Sequence, residues 1–206
     1  MVRRSLIILV AAVALALASL ASAAPRQIDV NDDFYAPKNP PARNFSTGPS
    51  FRWSNGGGSI TPHNIRQNDK LFRSGALTRG PINFTINASA GSFRYYCELH
   101  GTPDGQGMAG TVKVRPIAVP DLLGEIEVQW ADSNTNTGSR FDVRYRVDNR
   151  RWKTWKNDTR SFHGAFGHKD NPVNYNPSRH NYKIKVRSER RTVSKHSDFS
   201  PVLSLG

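Results

Sequence analysis

The chain has 206 residues, 29 Lys and Arg against 16 Asp and Glu for a formal net charge of +13, and a single cysteine. One cysteine excludes an intramolecular disulfide framework, and the excess positive charge favours an acidic partner or an anionic polymer or surface. The basic residues form no dense run and sit in no nucleic-acid motif, so nucleic acid is not the expected partner.

At the N-terminus, Arg3 and Arg4 precede an apolar run over 6–20 and then Ala21-Ser22-Ala23 before Ala24-Pro25. This pattern is a secretory signal peptide over 1–23, with an A-x-A cleavage site after Ala23. Its apolar run of about 15 residues falls short of the ~20 that a membrane span needs. No cysteine lies near the cleavage site, so a bacterial lipid anchor is not expected. The mature chain is expected to be secreted or periplasmic, with no transmembrane segment.

Beyond residue 23 the apolar residues alternate with polar ones in short runs bounded by Gly, Pro, Asn and Asp, which predicts an all-β protein. Strands are expected over 27–30, 50–54, 64–66, 82–86, 93–97 and 110–115. Pro40-Pro41, Gly56-Gly57-Gly58 and Gly105-Gln106-Gly107 mark loops between them. Pro116 and Pro120 bracket a short stiff linker over 116–120, so the mature chain divides into domains at 24–115 and 121–206. In the second domain Ile126, Val128 and Trp130 alternate with Glu127 and Gln129. Phe141, Val143, Tyr145 and Val147 alternate with Asp142, Arg144, Arg146 and Asp148, and Tyr182, Ile184 and Val186 with Lys183, Lys185 and Arg187. One face of each strand goes inward and the other meets water. The stretch 164–181, interrupted by Pro172 and Pro177, reads as a long loop.

The chemistry concentrates around Cys97. It stands in Tyr95-Tyr96-Cys97-Glu98-Leu99-His100, with Met108 following in a C-x2-H-x7-M pattern before the Val112/Val114 strand. Thiolate, imidazole and thioether on one short connection form a soft donor set. A second imidazole completes a His2Cys copper site with a weak axial Met, and His63, in Thr61-Pro62-His63-Asn64-Ile65, can supply it. Metal binding also accounts for an unpaired thiol in an exported chain. Zinc is disfavoured, because structural zinc usually takes paired Cys and His. Met108 is the only methionine left after signal removal, so a Met-rich copper store has no support. No Ser-His-Asp order, paired carboxylates or phosphate loop is present, so no catalytic residues are expected. His163, His168, His180 and His196 have no cysteine neighbours and read as surface residues.

From about 28 to 115 the chain resembles the cupredoxin family, the plastocyanin and pseudoazurin group. The resemblance lies in Tyr95-Tyr96-Cys97, His100, Met108, Gly110 and Thr111-Val112-Lys113-Val114, in the upstream pair His63-Asn64, in Trp53-Ser54-Asn55, and in Phe34-Tyr35-Ala36-Pro37. It implies a Greek-key sandwich in which His63, Cys97 and His100 bind one copper ion in a plane and Met108 binds axially. It also implies that Asn64 braces the ligand loop, that His100 is the electron portal, and that Tyr96 offers a second route. The His-to-Met segment Gly101-Thr102-Pro103-Asp104-Gly105-Gln106-Gly107 is longer than the compact plastocyanin loop. Gln106 is therefore a rival axial ligand, since an amide oxygen can replace Met.

From about 120 to 205 the chain resembles a fibronectin type III module. Trp130, the Tyr145 strand, Tyr182-Lys183-Ile184-Lys185-Val186-Arg187-Ser188 and Ser197-Asp198-Phe199-Ser200 carry this likeness, with Trp130 expected in the core. Such a topology would crowd Arg144, Arg146, Lys153, Lys156, Lys183, Lys185 and Arg187 on one outer face. The expected function is single-electron transfer by Cu(I)/Cu(II) cycling, with that face docking an acidic redox partner protein or an anionic envelope polymer. The competing expectation is an extracellular binding or adhesion protein in which copper is structural or incidental. Asn44, Asn83, Asn87 and Asn157 each begin an N-x-S/T sequon, relevant to a eukaryotic secretory host.

Overall fold

The computed structural model describes residues 24–46, 49–120, 125–169, 171–190 and 195–206. The expected signal peptide lies outside the described residues. Among those described, every regular element is a strand, and no helix is long and apolar enough to cross a membrane. The first half holds β1 (Arg26–Val30), β2 (Tyr35–Ala36), β3 (Arg43–Asn44), β4 (Ser50–Ser54), β5 (Arg66–Gln67), β6 (Asn83–Asn87), β7 (Gly91–Gly101) and β8 (Gly107–Arg115). The second holds β9 (Ile117–Pro120), β10 (Ile126–Gln129), β11 (Arg140–Val147), β12 (Lys153–Thr159), β13 (His163–Phe166), β14 (Tyr182–Arg190), β15 (Lys195–His196) and β16 (Leu203–Leu205).

In the first half one sheet has the order β2-β1-β4-β6 and a second the order β3-β8-β7-β5. Ile28, Val30, Phe51, Trp53 and Ile86 of the first sheet meet Phe93, Tyr95, Cys97, Met108, Val112 and Val114 of the second in one buried cluster. Two small sheets over a shared core form a β-sandwich. Trp53 is its centre, with ring centroids 5.0 Å from Tyr95 and 5.9 Å from both Phe72 and Phe84. The alternation of β8, in which the buried Val112 and Val114 alternate with the solvent-facing Lys113 and Arg115, is the sequence pattern made physical.

The second half pairs β13-β10-β9 as one sheet and β12-β11-β14-β15 as another, with β16 also on β14. Trp130, Phe141, Val143, Tyr145, Phe166, Tyr182, Ile184 and Val186 fill its core, joined by Ala90 of the first half. Trp130 is fully buried, as expected, and its indole N–H donates to the Ser161 carbonyl at 2.7 Å.

Three local expectations change. Residues 117–120, read as part of a linker, form β9 along the edge of β10; an edge strand tolerates a proline at its end. The loop expected over 164–181 begins in β13, because Phe166 is an inward anchor against Tyr145, Trp155, Tyr175 and Tyr182. Lys153 and Lys156 stand opposite Tyr145 and Val143, not opposite Arg144 or Arg146. Register places directly paired residues on the same face, so these two lysines leave the basic face expected of them.

The halves meet through hydrogen bonds at the start of β7. Ser92 and Asp198 exchange backbone bonds at 3.0 Å, Ala90 N–H donates to the Trp130 carbonyl at 2.7 Å, and Arg94 pairs with Asp198 at 2.8 Å. Ser89, Thr137 and Ser188 form a buried hydroxyl cluster beside them. The strand that leads to Cys97 is therefore anchored at its other end on the second half.

Candidate metal centre

Strand β7 runs antiparallel to β8, in register from Gly91 opposite Val114 to Tyr96 opposite Ala109. The ladder then breaks and resumes with Gly101 opposite Gly107. Four residues of β7, Cys97 to His100, thus face a single residue of β8, Met108. An excursion of this kind bends the strand and re-aims its side chains. Two glycines permit it: a Cβ on Gly107 would collide with the His100 carbonyl oxygen, and one on Gly101 with the Met108 carbonyl oxygen. Gly107 also has φ +63°, in the region that favours glycine.

The excursion brings Cys97 and His100 together, and His63 arrives from the opposite side on the segment between β4 and β5. Its backbone exchanges two bonds with Thr78, at 2.9 and 3.0 Å. This pairing replaces the strand expected over 64–66, which starts only at Arg66. The Cys97 sulfur lies 3.8 Å from His63 Nδ1 and 3.7 Å from His100 Nδ1, and the two Nδ1 atoms lie 3.1 Å apart. A point equidistant from the three atoms is about 2.1 Å from each, a metal–nitrogen bond length and within about 0.2 Å of a metal–sulfur one. His63, Cys97 and His100 can therefore hold a metal ion. Cys97 and His63 are fully buried, and His100 is partly open.

The far side of each imidazole matters as much as the near one. Thr61 Oγ1 is 3.0 Å from His63 Nε2 and donates its own proton to the Asp32 carbonyl at 3.3 Å. Its oxygen must then accept from Nε2–H, which leaves Nδ1 with its lone pair toward Cys97. The Asp32 carboxylate, 3.7 Å from Nε2, supports the same tautomer. Burial, together with the neighbouring His100, lowers the His63 pKa against the opposing pull of Asp32. A neutral ring is what a metal ligand requires.

Asn64 links the two ligand segments. Its side-chain oxygen accepts from Glu98 N–H at 3.0 Å, its amide donates to the Gly75 carbonyl at 3.1 Å and to the Glu98 carboxylate, and its own carbonyl accepts from Tyr35 at 2.6 Å. Glu98 is further held by Arg66 and by Arg73, whose Nε donates at 2.9 Å. Burial opposes ionisation of Glu98, yet the hydrogen bonds from Asn64, Arg66 and Arg73 bring its carboxyl down to about 2. Sequence reasoning missed this clamp. Arg66 and Arg73 lie far from Glu98 in the chain, and only the pairing of β5 with β7 brings Arg66 to it.

Met108 is fully buried in the first-half core, opposite the excursion. Gln106 is exposed at the tip of the hairpin, where Thr102 N–H donates to its carbonyl at 3.1 Å and its own N–H donates to Thr102 Oγ1 at 3.2 Å. The residues between His100 and Met108 thus extend the hairpin outward. His163, His168 and His180 pair with Glu127, Glu125 and Asp148 in the second half and are not part of this group. No protein-family model and no curated protein matches the chain, so the reading of this centre rests on its own geometry.

Proposed function

We propose that this protein is an exported single-electron carrier of the blue-copper type, with a cupredoxin-like first half and a fibronectin type III-like second half. The observation that carries the reading is the triangle of one buried sulfur and two imidazole Nδ1 atoms around a common point at bonding distance. Thiolate with two imidazoles suits copper, and structural zinc sites usually close with further Cys or His. Met108, buried across from the excursion, is favoured over the exposed Gln106 as the weak axial donor. Copper held there would supply a one-electron couple.

The chain's own groups hold the donors still, which keeps rearrangement small when charge changes. Thr61 fixes the His63 tautomer, and Asn64 ties the His63 segment to the Cys97 strand. Burial of Cys97 and His63 excludes water from two of the three donors. His100 faces outward in a shallow depression lined by Leu99, Gly101, Thr102, Gln106 and Gly107, making it the route to a redox partner. Among the described residues, the exposed large hydrophobics of the first half are Phe34, Ile60, Leu77 and Leu99. Each stands within two residues of Asp32, Thr61, Thr78 or His100, so the surface near the centre has apolar points for a transient partner. In the second half, the Tyr182 hydroxyl donates to the Asn174 carbonyl at 3.1 Å and accepts from Asn176 N–H at 2.9 Å. That hydrogen-bonded tyrosine corner supports the fibronectin-like reading.

Titrating the folded protein with copper under visible absorption and electron paramagnetic resonance tests the proposal. A strong thiolate charge-transfer band that is lost in Cys97→Ser, with reversible one-electron reduction, is the expected result. Stoichiometric copper binding with no such band would count against it.

A further inference from the structure

The two central strands of the second half carry a pattern that the metal centre does not use. On one face of the β11–β14 pair, Arg144 stands directly opposite Lys185 and Arg146 directly opposite Lys183. Like charges placed opposite one another destabilise a sheet. Asp142 opposite Arg187 is the compensated exception: Arg187 donates to the Asp142 carboxylate at 2.7 and 3.0 Å and lies 3.2 Å from Glu189. Among the described residues, no carboxylate lies within 4.0 Å of Arg144, Arg146, Lys183 or Lys185. The Nε of Arg146 is buried and has no hydrogen-bond partner.

Two aromatic rings hold Arg144, Arg146 and Lys185 in place. Lys185 Nζ lies 4.3 Å from the centroid of Trp152 and 4.4 Å from that of Phe199. Arg144 and Arg187 also approach Phe199, at 4.9 and 5.3 Å, and Arg146 approaches Trp152 at 5.0 Å. Burial, with the adjacent charges of Arg144 and Arg146, lowers the Lys185 pKa. The face is therefore a grid of positive charge, fixed at Arg144, Arg146 and Lys185 and completed by Lys183, with spacings of about 5 Å between strands and about 7 Å along them. Because three of the four cationic ends, Arg144, Arg146 and Lys185, are already ordered, an anion binding there loses less side-chain entropy.

We propose that this face binds a linear anionic polysaccharide through Arg144, Arg146, Lys183 and Lys185. A repeating polyanion matches a flat grid of charges and needs no recess. The ring faces of Trp152 and Phe199 are occupied by cations, so they offer neither stacking platforms for nucleobases nor the apolar anchors that centre a protein interface. This inference is independent of the copper reading and is tested without metal.

The test is binding of the metal-free mature chain to immobilised polygalacturonate and dextran sulfate over a range of salt concentrations. Binding that weakens steeply with salt is expected, and Arg146→Gln/Lys183→Gln should weaken it by about tenfold. The control, Lys38→Gln/Lys113→Gln, removes the same charge from the first half and should change binding by less than about twofold. Should the first double variant fail to fold by circular dichroism, Lys183→Gln alone reads the same face, with an expected loss of about threefold. Equal losses in both double variants, unchanged binding in the Lys183 variant, or tighter binding to polyglutamate or duplex DNA than to either polysaccharide would overturn the proposal.

Discussion

Asn64 and Glu98 are tied in both directions: the Asn64 side-chain oxygen accepts from Glu98 N–H at 3.0 Å, and its amide nitrogen donates back to the Glu98 carboxylate. The residue after one imidazole donor is thereby locked to the residue after the sulfur donor. Replacing Asn64 with Ala leaves the Glu98 N–H and the Gly75 carbonyl without that partner and should cost about 1–3 kcal/mol of stability. Metal affinity should fall by about 10- to 100-fold, because the two donor segments lose their brace. Urea unfolding and competition with a calibrated chelator measure the two effects separately. An Asn64→Ala variant with unchanged affinity would remove the bracing role.

Gly107 permits the four-to-one excursion that gathers Cys97 and His100 opposite Met108. Gly107→Ala should destabilise the protein by about 2–4 kcal/mol, since the new Cβ meets the His100 carbonyl and the φ of +63° strains a side chain. Gly105 is the natural comparison: its φ is +96°, but nothing lies within 4 Å of an added Cβ. Gly105→Ala should therefore be the milder change by denaturant midpoint. It should also leave metal affinity intact, whereas Gly107→Ala should lower it.

In the second half, Asp142 gives a pH dependence with a definite sign. Burial disfavours its charge, but the Asp158 N–H and the Arg187 guanidinium outweigh burial and lower its pKa. A depressed carboxyl contributes stability above its unfolded value, about 3.9, and that contribution is lost as pH falls through the lower folded value. Glu189 is shifted upward by burial and by Asp142, so it works in the opposite sense. Asp142→Asn should cost about 1–3 kcal/mol at neutral pH, and progressively less as pH falls below about 3.9 and through the lower folded value. Urea midpoints at several pH values, compared with wild type, check the convergence. Parallel curves for the two proteins would show that the pair is not the source.

How far the sequence foretold this arrangement depends on the range of the interaction. Alternation located β4, β8, β11 and β14 to within a few residues, because inward Phe51, Val112, Val143 and Ile184 each follow a local period of two. Cys97, His100 and His63 were legible as a donor set because few residue types bind soft metals, and the structure brings those three together. The clamp of Arg66 and Arg73 on Glu98 was not legible, since common charges give no signal until β5 pairs with β7. Nor was the tautomer lock by Thr61 and Asp32, which rests on the chain passing Asp32 close to the turn at Ile60 and Thr61. The misplacement of Lys153 and Lys156 has the same origin. Alternation gives a strand's two faces, and the bulges in the β11–β12 pairing decide which face each lysine joins.

X-ray absorption at the copper edge on the loaded protein reads the donor set of His63, Cys97 and His100 itself. One short sulfur and two imidazole nitrogens are expected in the first coordination shell, with the sulfur lost in Cys97→Ser. A shell of nitrogen and oxygen alone, identical in wild type and Cys97→Ser, would contradict it.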